Sequence, residues 1–217
     1  MNFEIYKKRG IINTMDIIIV LAILIFSAVL HEVMHGFVAE KLGDPTPRLL
    51  GRLTLNPLPH LDPIMSVLLP LTLYLSSGFF FAAAKPVPIN PLHLKEGKKD
   101  LALVALAGPL TNIGIAVLFA LLFNLGLRNM SFINQMSIEV IRLNLFLGIL
   151  NLIPIPPLDG AKVFSVVLPD KIAYQYNSIG NIGIFILFFL LFFPVGPFNL
   201  GALLNQLLLS FLRLLGI

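Results

Sequence analysis

The sequence has no cysteine, no tryptophan and little charge, with Asp, Glu, Lys and Arg making up 12% of its 217 residues. A soluble domain carries about a quarter charged residues. Without cysteine there is no disulfide framework, no thiolate metal site and no thiol nucleophile. Any metal must therefore be held by His and carboxylate side chains. Without tryptophan, an interface belt falls to the four Tyr and the basic residues. The net charge is +4, but the 15 Lys and Arg lie in short segments between apolar runs and form no stripe. That excludes nucleic acid as a partner.

What is present is apolar. The chain is 57% hydrophobic with 18 Phe, and its mean hydropathy is +0.92. A membrane-spanning helix needs about 20 mostly apolar residues. Such runs occupy Met15–Leu42, Ile64–Ala84, Leu101–Leu127, Met136–Ile153, Ile179–Phe193 and Phe198–Leu215. The expected fold is an all-α polytopic membrane protein of five to six transmembrane helices, with a re-entrant segment or short strand near the active site. Residues 1–217 are expected to form a single membrane domain in the cell membrane. The first run carries His and Glu at its far end and no small-residue cleavage site, so it reads as a retained span. The second run is broken by Pro70 and Gly78 between two basic loops, a pattern that favours a re-entrant segment over a crossing. Lys7, Lys8 and Arg9 precede the first run, while Lys41, Arg48 and Arg52 follow it. The positive-inside rule does not choose between three and three.

The first run contains His31-Glu32-Val33-Met34-His35. Residues four apart share a helix face, so both imidazoles reach one metal ion, and Glu32 stands one step round to hold a water. Two His and a Glu inside an apolar helix are costly in lipid and mark a functional site. The competing reading is a polar cluster that glues helices together. A catalytic zinc takes three protein ligands and leaves one position open. His60, Asp62, His93 and Asp159 are the candidates for the third. Asp159 stands out because it ends a long apolar run, in Asn151-Leu152-Ile153-Pro154-Ile155-Pro156-Pro157-Leu158-Asp159-Gly160. The prolines break the helix, and irregular backbone at membrane depth is tolerated where it lines a cavity or is buried in protein. From the residues alone, Asp159 is either a ligand or the N-cap of the next short helix.

The pairing of His31-Glu32-x-x-His35 with Asn151-x-x-Pro154-x-Pro156-x-x-Asp159-Gly160 resembles the site-2 protease family of intramembrane zinc metalloproteases. Ala107-Gly108-Pro109-Leu110-Thr111-Asn112 and Gly51-Arg52-Leu53-Thr54-Leu55-Asn56-Pro57 resemble segments of its compact prokaryotic members, without the PDZ or CBS domains of some relatives. The resemblance covers about residues 27 to 165. It implies one Zn2+ held by His31, His35 and Asp159, with Glu32 as the catalytic base. It places Asn112 and Asn151 near the active site, to help hold substrate or the oxyanion. The implied substrate is a transmembrane segment of another membrane protein.

A helical substrate hides its carbonyls and must unwind before cleavage. Lys85-Pro86-Val87-Pro88-Ile89-Asn90 is the candidate edge that holds it. Alternate residues of a strand present their N–H groups to opposite edges. Pro86 and Pro88 therefore strip donors from one edge and leave Val87 and Ile89 competent on the other, the pattern for strand addition. A polyproline-like loop is the competing reading. His60 and Asp62 read as turn and cap residues ahead of a second metal site, and His93 reads as surface. Outside the enzyme class, a metal transporter or a non-hydrolytic metal-binding membrane protein also uses intramembrane His and Asp. Such a protein has little need of a Glu directly after the first His.

Overall fold

The structure, a computed structural model, describes residues 14–62, 66, 68, 72, 84–126, 131–180 and 182–217. Eight α-helices lie among these residues: α1 (Thr14–Lys41), α2 (Thr46–Leu49), α3 (Lys98–Leu125), α4 (Ser131–Asn151), α5 (Asp159–Phe164), α6 (Asp170–Ser178), α7 (Ile182–Phe192) and α8 (Leu200–Leu214). No strand occurs among the described residues, which contain one isolated bridge, between Val195 and Phe198. Residues 84–90 form no helix, turn or strand.

Among the described residues, three helices, α1, α3 and α4, are long and apolar enough to cross a membrane. The count rises to four if α6 and α7, which meet at a 73° bend, make one span. The 11 residues of α7 rise only about 16 Å, half the hydrocarbon thickness. The 15 residues of α8 also fall short of a full span. Expecting five to six spans treated each C-terminal apolar run as a crossing, and runs of this length are compatible with shorter helices. The re-entrant reading of the second run concerns residues 64–84, nearly all of which lie outside the described residues.

The helix ends follow local chemistry. Gly43 takes φ +115° after α1. There Gly43 N–H bonds to Glu40 O (3.1 Å) and Asp44 N–H to Ala39 O (2.9 Å), the paired bonds of a Schellman cap. The Asn199 side chain accepts from Ala202 N and starts α8.

Packing is by small residues and by stripes four apart. Ala116, Ala120 and Phe123 of α3 meet Ile141 and Leu145 of α4, with Leu208 and Leu212 of α8 completing the cluster. Leu200 and Leu204 of α8 continue the same stripe against Leu150 and Leu187. In lipid, burying Leu against Leu gains nothing from water exclusion, so close contact of such surfaces is what holds the helices together. A third cluster joins Ala39 of α1 to Leu94 and Val104, with Ile89 against it. It holds the C-terminal half of α1 beside α3, and the candidate site lies between them.

Candidate metal centre

His31 and His35 are buried on one face of α1, with ring centroids 4.6 Å apart. His31 Nδ1 lies 2.5 Å from Asn112 Oδ1, and His35 Nδ1 lies 2.7 Å from the Val104 carbonyl. Both partners are oxygens that accept, so each neutral ring carries its hydrogen on Nδ1 and presents a lone pair at Nε2. The two Nε2 atoms converge on Asp159 Oδ2, each at 3.1 Å. Two neutral rings with Nδ1 protonated have no hydrogen left for these contacts. Three lone-pair atoms thus face one point, an arrangement a cation stabilises. Each imidazole also has the outer acceptor that metal-bound His usually has. One atom each from His31, Glu32 and His35 also lie within 4.8 Å of one another. The donor set is nitrogen and oxygen only, from three side chains, and it suits catalytic zinc.

The chain is built for this approach. A Cβ on Gly108 would lie 2.5 Å from Nε2 of both His31 and His35, so only glycine lets α3 pass the two rings. Pro109 follows inside α3, where it removes one backbone donor. A Cβ on Gly160 would lie 2.2 Å from Leu152 O, so that glycine lets the Pro-broken segment fold back and bring Asp159 inward. Asp159 is the first residue of α5, and its side chain caps nothing. Its Oδ2 faces the histidines, and its Oδ1 meets Lys162 Nζ at 3.3 Å. The N-cap alternative is therefore not what the carboxylate does.

Glu32 is held from the loop side, with Val87 N–H donating to its Oε2 at 2.7 Å. The Val87 side chain is buried. The 85–90 segment is anchored at both ends: Lys85 N–H donates to His60 O (2.8 Å), Arg52 Nη2 to Lys85 O (2.7 Å) and Asn90 N–H to Asp44 Oδ2 (2.7 Å). The Val87 donor assigned to an incoming strand is thus engaged with the candidate base in this conformation. Asn151 ends α4 and donates to Leu147 O at 3.0 Å. Asn112 spends its amide group between the helices, donating to Asn144 Oδ1 at 2.9 Å and reaching Ser27 O at 3.4 Å.

His60 is fully buried, with Nε2–H donating to Thr54 O at 3.0 Å. That is more than a turn residue does, and it fixes the loop that holds Lys85. Burial pushes His60 below its ordinary value, and the Arg52 charge adds to this, while the Thr54 bond and the Glu32 charge oppose it. His93 sits half-exposed beside Asp44, at 3.0 Å. The contacts of Asn112 and of Val87 were not readable from the sequence, because they depend on which helices and loops meet. Gly108 was readable only as part of the resemblance.

A bundle of membrane-length helices with this donor cluster between them defines a class of protein, a membrane metalloprotein. Comparison with known proteins gives the particular family. The model for peptidase family M50 matches residues 127–194. YwhC of Bacillus subtilis, named as a candidate zinc metalloprotease, is 36% identical over 191 residues, covering 84% of each chain. Rip2 of Mycolicibacterium smegmatis, named likewise, is 31% identical over 159 residues, 66% of this chain and 54% of its own. A zinc metalloprotease of Methanocaldococcus jannaschii is 30% identical over 198 residues, 88% of this chain and 48% of its own. The chain thus spans most of YwhC and about half of the other two. No solved structure matches. The chain belongs to peptidase family M50, in keeping with its resemblance to the compact site-2 proteases, and it is a zinc metalloendopeptidase.

Proposed function

We propose that this chain is an intramembrane zinc endopeptidase of the cell membrane, which hydrolyses a peptide bond in or near a transmembrane segment of another membrane protein. The observation that carries this reading is the convergence of His31 Nε2, His35 Nε2 and Asp159 Oδ2 between membrane-length helices, with the Glu32 carboxylate beside them. In this reading His31, His35 and Asp159 hold the zinc. When bound, zinc supplies a Lewis acid that polarises the scissile carbonyl and acidifies water.

Glu32 is the base. It takes the proton of the attacking water and passes it to the leaving amine. Before substrate pairs at this segment, Val87 N–H holds Oε2 and orients the carboxylate. Asn151 has an amide hydrogen beyond the one given to Leu147 O, and its neutral amide donates to the developing oxyanion without adding charge. Val87 and Ile89 lie along the edge where an unwound substrate segment pairs. Residues 1–217 act as one membrane domain. The partners are the bilayer and the substrate helix.

The test is a comparison of membrane-protein fragments in cells carrying wild-type or Glu32→Gln protein. The reading expects fragments cut within or beside a transmembrane segment in the first and none in the second. Identical fragment patterns would reject it. Metal uptake by wild type without fragments would favour a transporter.

A further inference from the structure

Ser27 of α1, Asn112 of α3 and Asn144 of α4 form a hydrogen-bonded chain that ends on His31. All three are buried, the two asparagines completely. Asn144 Nδ2 donates to Ser27 Oγ at 2.9 Å and to Val140 O at 2.9 Å. Asn112 Nδ2 donates to Asn144 Oδ1 at 2.9 Å, and Asn112 Oδ1 faces His31 Nδ1 at 2.5 Å.

The direction of this chain follows from its far end. The Val140 carbonyl only accepts, so the Asn144 atom facing it is nitrogen. Asn144 Oδ1 is thereby turned to Asn112. An oxygen there requires the Asn112 nitrogen opposite it, which leaves Asn112 Oδ1 for His31. An oxygen at that place requires a hydrogen on His31 Nδ1, so the lone pair falls on Nε2, the atom 3.1 Å from Asp159 Oδ2. Flipping the Asn112 amide would reverse this. An N–H would face Nδ1, the ring hydrogen would move to Nε2, and Nε2 would have no lone pair for a metal. Without Asn144, only Ser27 O at 3.4 Å selects the Asn112 orientation.

We propose that Asn144 is a positioning residue that, acting through Asn112, selects the His31 tautomer able to bind zinc through Nε2. The inference rests on the reading of His31 as a ligand. The experiment uses the purified full chain in detergent and measures zinc affinity by competition with a chelator. Asn144→Leu is expected to weaken zinc binding by about tenfold to about a hundredfold, the usual effect of losing an outer partner of a ligand. Adding Asn112→Asp to Asn144→Leu is expected to restore most of that affinity, because the two carboxylate oxygens are equivalent and either accepts from His31 Nδ1. A packing role would not be rescued in this way. Ring-nitrogen NMR of histidine in the zinc-free wild type needs no variant and is expected to show the hydrogen on His31 Nδ1. Unchanged affinity in Asn144→Leu, no rescue by Asn112→Asp, or a hydrogen on His31 Nε2 would each overturn the proposal. If wild type binds zinc but His31→Gln binds it equally well, the ligand reading itself has failed, and that outcome is distinct from the other three.

Discussion

Val87 N–H donates to the Glu32 carboxylate across 2.7 Å, so a loop residue 55 positions away orients the candidate base. Pro86 and Pro88 on either side have no N–H to offer. Val87 is therefore the donor at that point of the segment. The same N–H is the one that strand addition would use. In the proposed function, substrate pairing at this edge takes that N–H away from Oε2.

Val87→Pro removes this donor with little change in bulk. A hydrogen bond to a charged group contributes about 1.5–3 kcal/mol. Cleavage is expected to fall at least about tenfold, while zinc content stays at the wild-type level. Zinc content is read by atomic absorption and cleavage by product formation in the same preparation. Unchanged cleavage in a folded Val87→Pro protein would remove both the orienting role and the strand-edge role.

Gly108 is where helix packing meets the metal centre. Gly108→Ala would place a Cβ 2.5 Å from Nε2 of both histidines. Expected is loss of zinc binding in a protein that still folds in detergent. Gly114, on the same helix, has nothing within 4 Å of a new Cβ. Gly114→Ala is therefore expected to keep full zinc binding and to gain about 1 kcal/mol in helix stability. Comparing the two by zinc titration separates the clash from any general effect of alanine in α3.

Asp159→Asn keeps the shape and removes the charge. An amide is a poor ligand beside two neutral imidazoles, so zinc affinity is expected to drop by at least about a hundredfold. Chelator competition measures this. Affinity within a factor of a few of wild type would mean that the third ligand lies elsewhere.

Much of this centre is legible in the residues. The four-residue spacing of His31 and His35 places both on one helix face, and the run around them marks a span. Asp159 was one of four candidates, and the resemblance singled it out. The Asn144–Ser27 contact could not be read, because 117 positions separate the pair and no spacing rule links α1 to α4. The Asn112 contact with His31 is hidden for the same reason, so its amide looked available for substrate. The C-terminal runs were read as spans because hydropathy does not report where a helix bends, as α6 and α7 do.

His60 gives a pH signature separate from the metal ligands. Its folded value lies below the ordinary 6.5, chiefly through burial. The unfolded state therefore binds more protons as the pH falls through 6.5, and stability rises with pH in that window. The contribution is complete above 6.5 and is lost as the pH falls from there toward the folded value. Thermal unfolding in detergent, followed from about pH 7.5 to about pH 5.5, is expected to show a falling midpoint. His60→Gln should fall less steeply over the same range. Parallel curves for the two proteins would show that His60 is not held neutral.

The central claim is that His31, His35 and Asp159 hold zinc while Glu32 moves the proton, and Glu32→Gln separates the two jobs. The decisive measurement takes purified wild type and Glu32→Gln in proteoliposomes with a single-span membrane substrate identified from the cell comparison, and records bound zinc and product together. The account predicts one zinc per chain in both proteins, with product from wild type alone. Product formed by Glu32→Gln at the wild-type rate would contradict it.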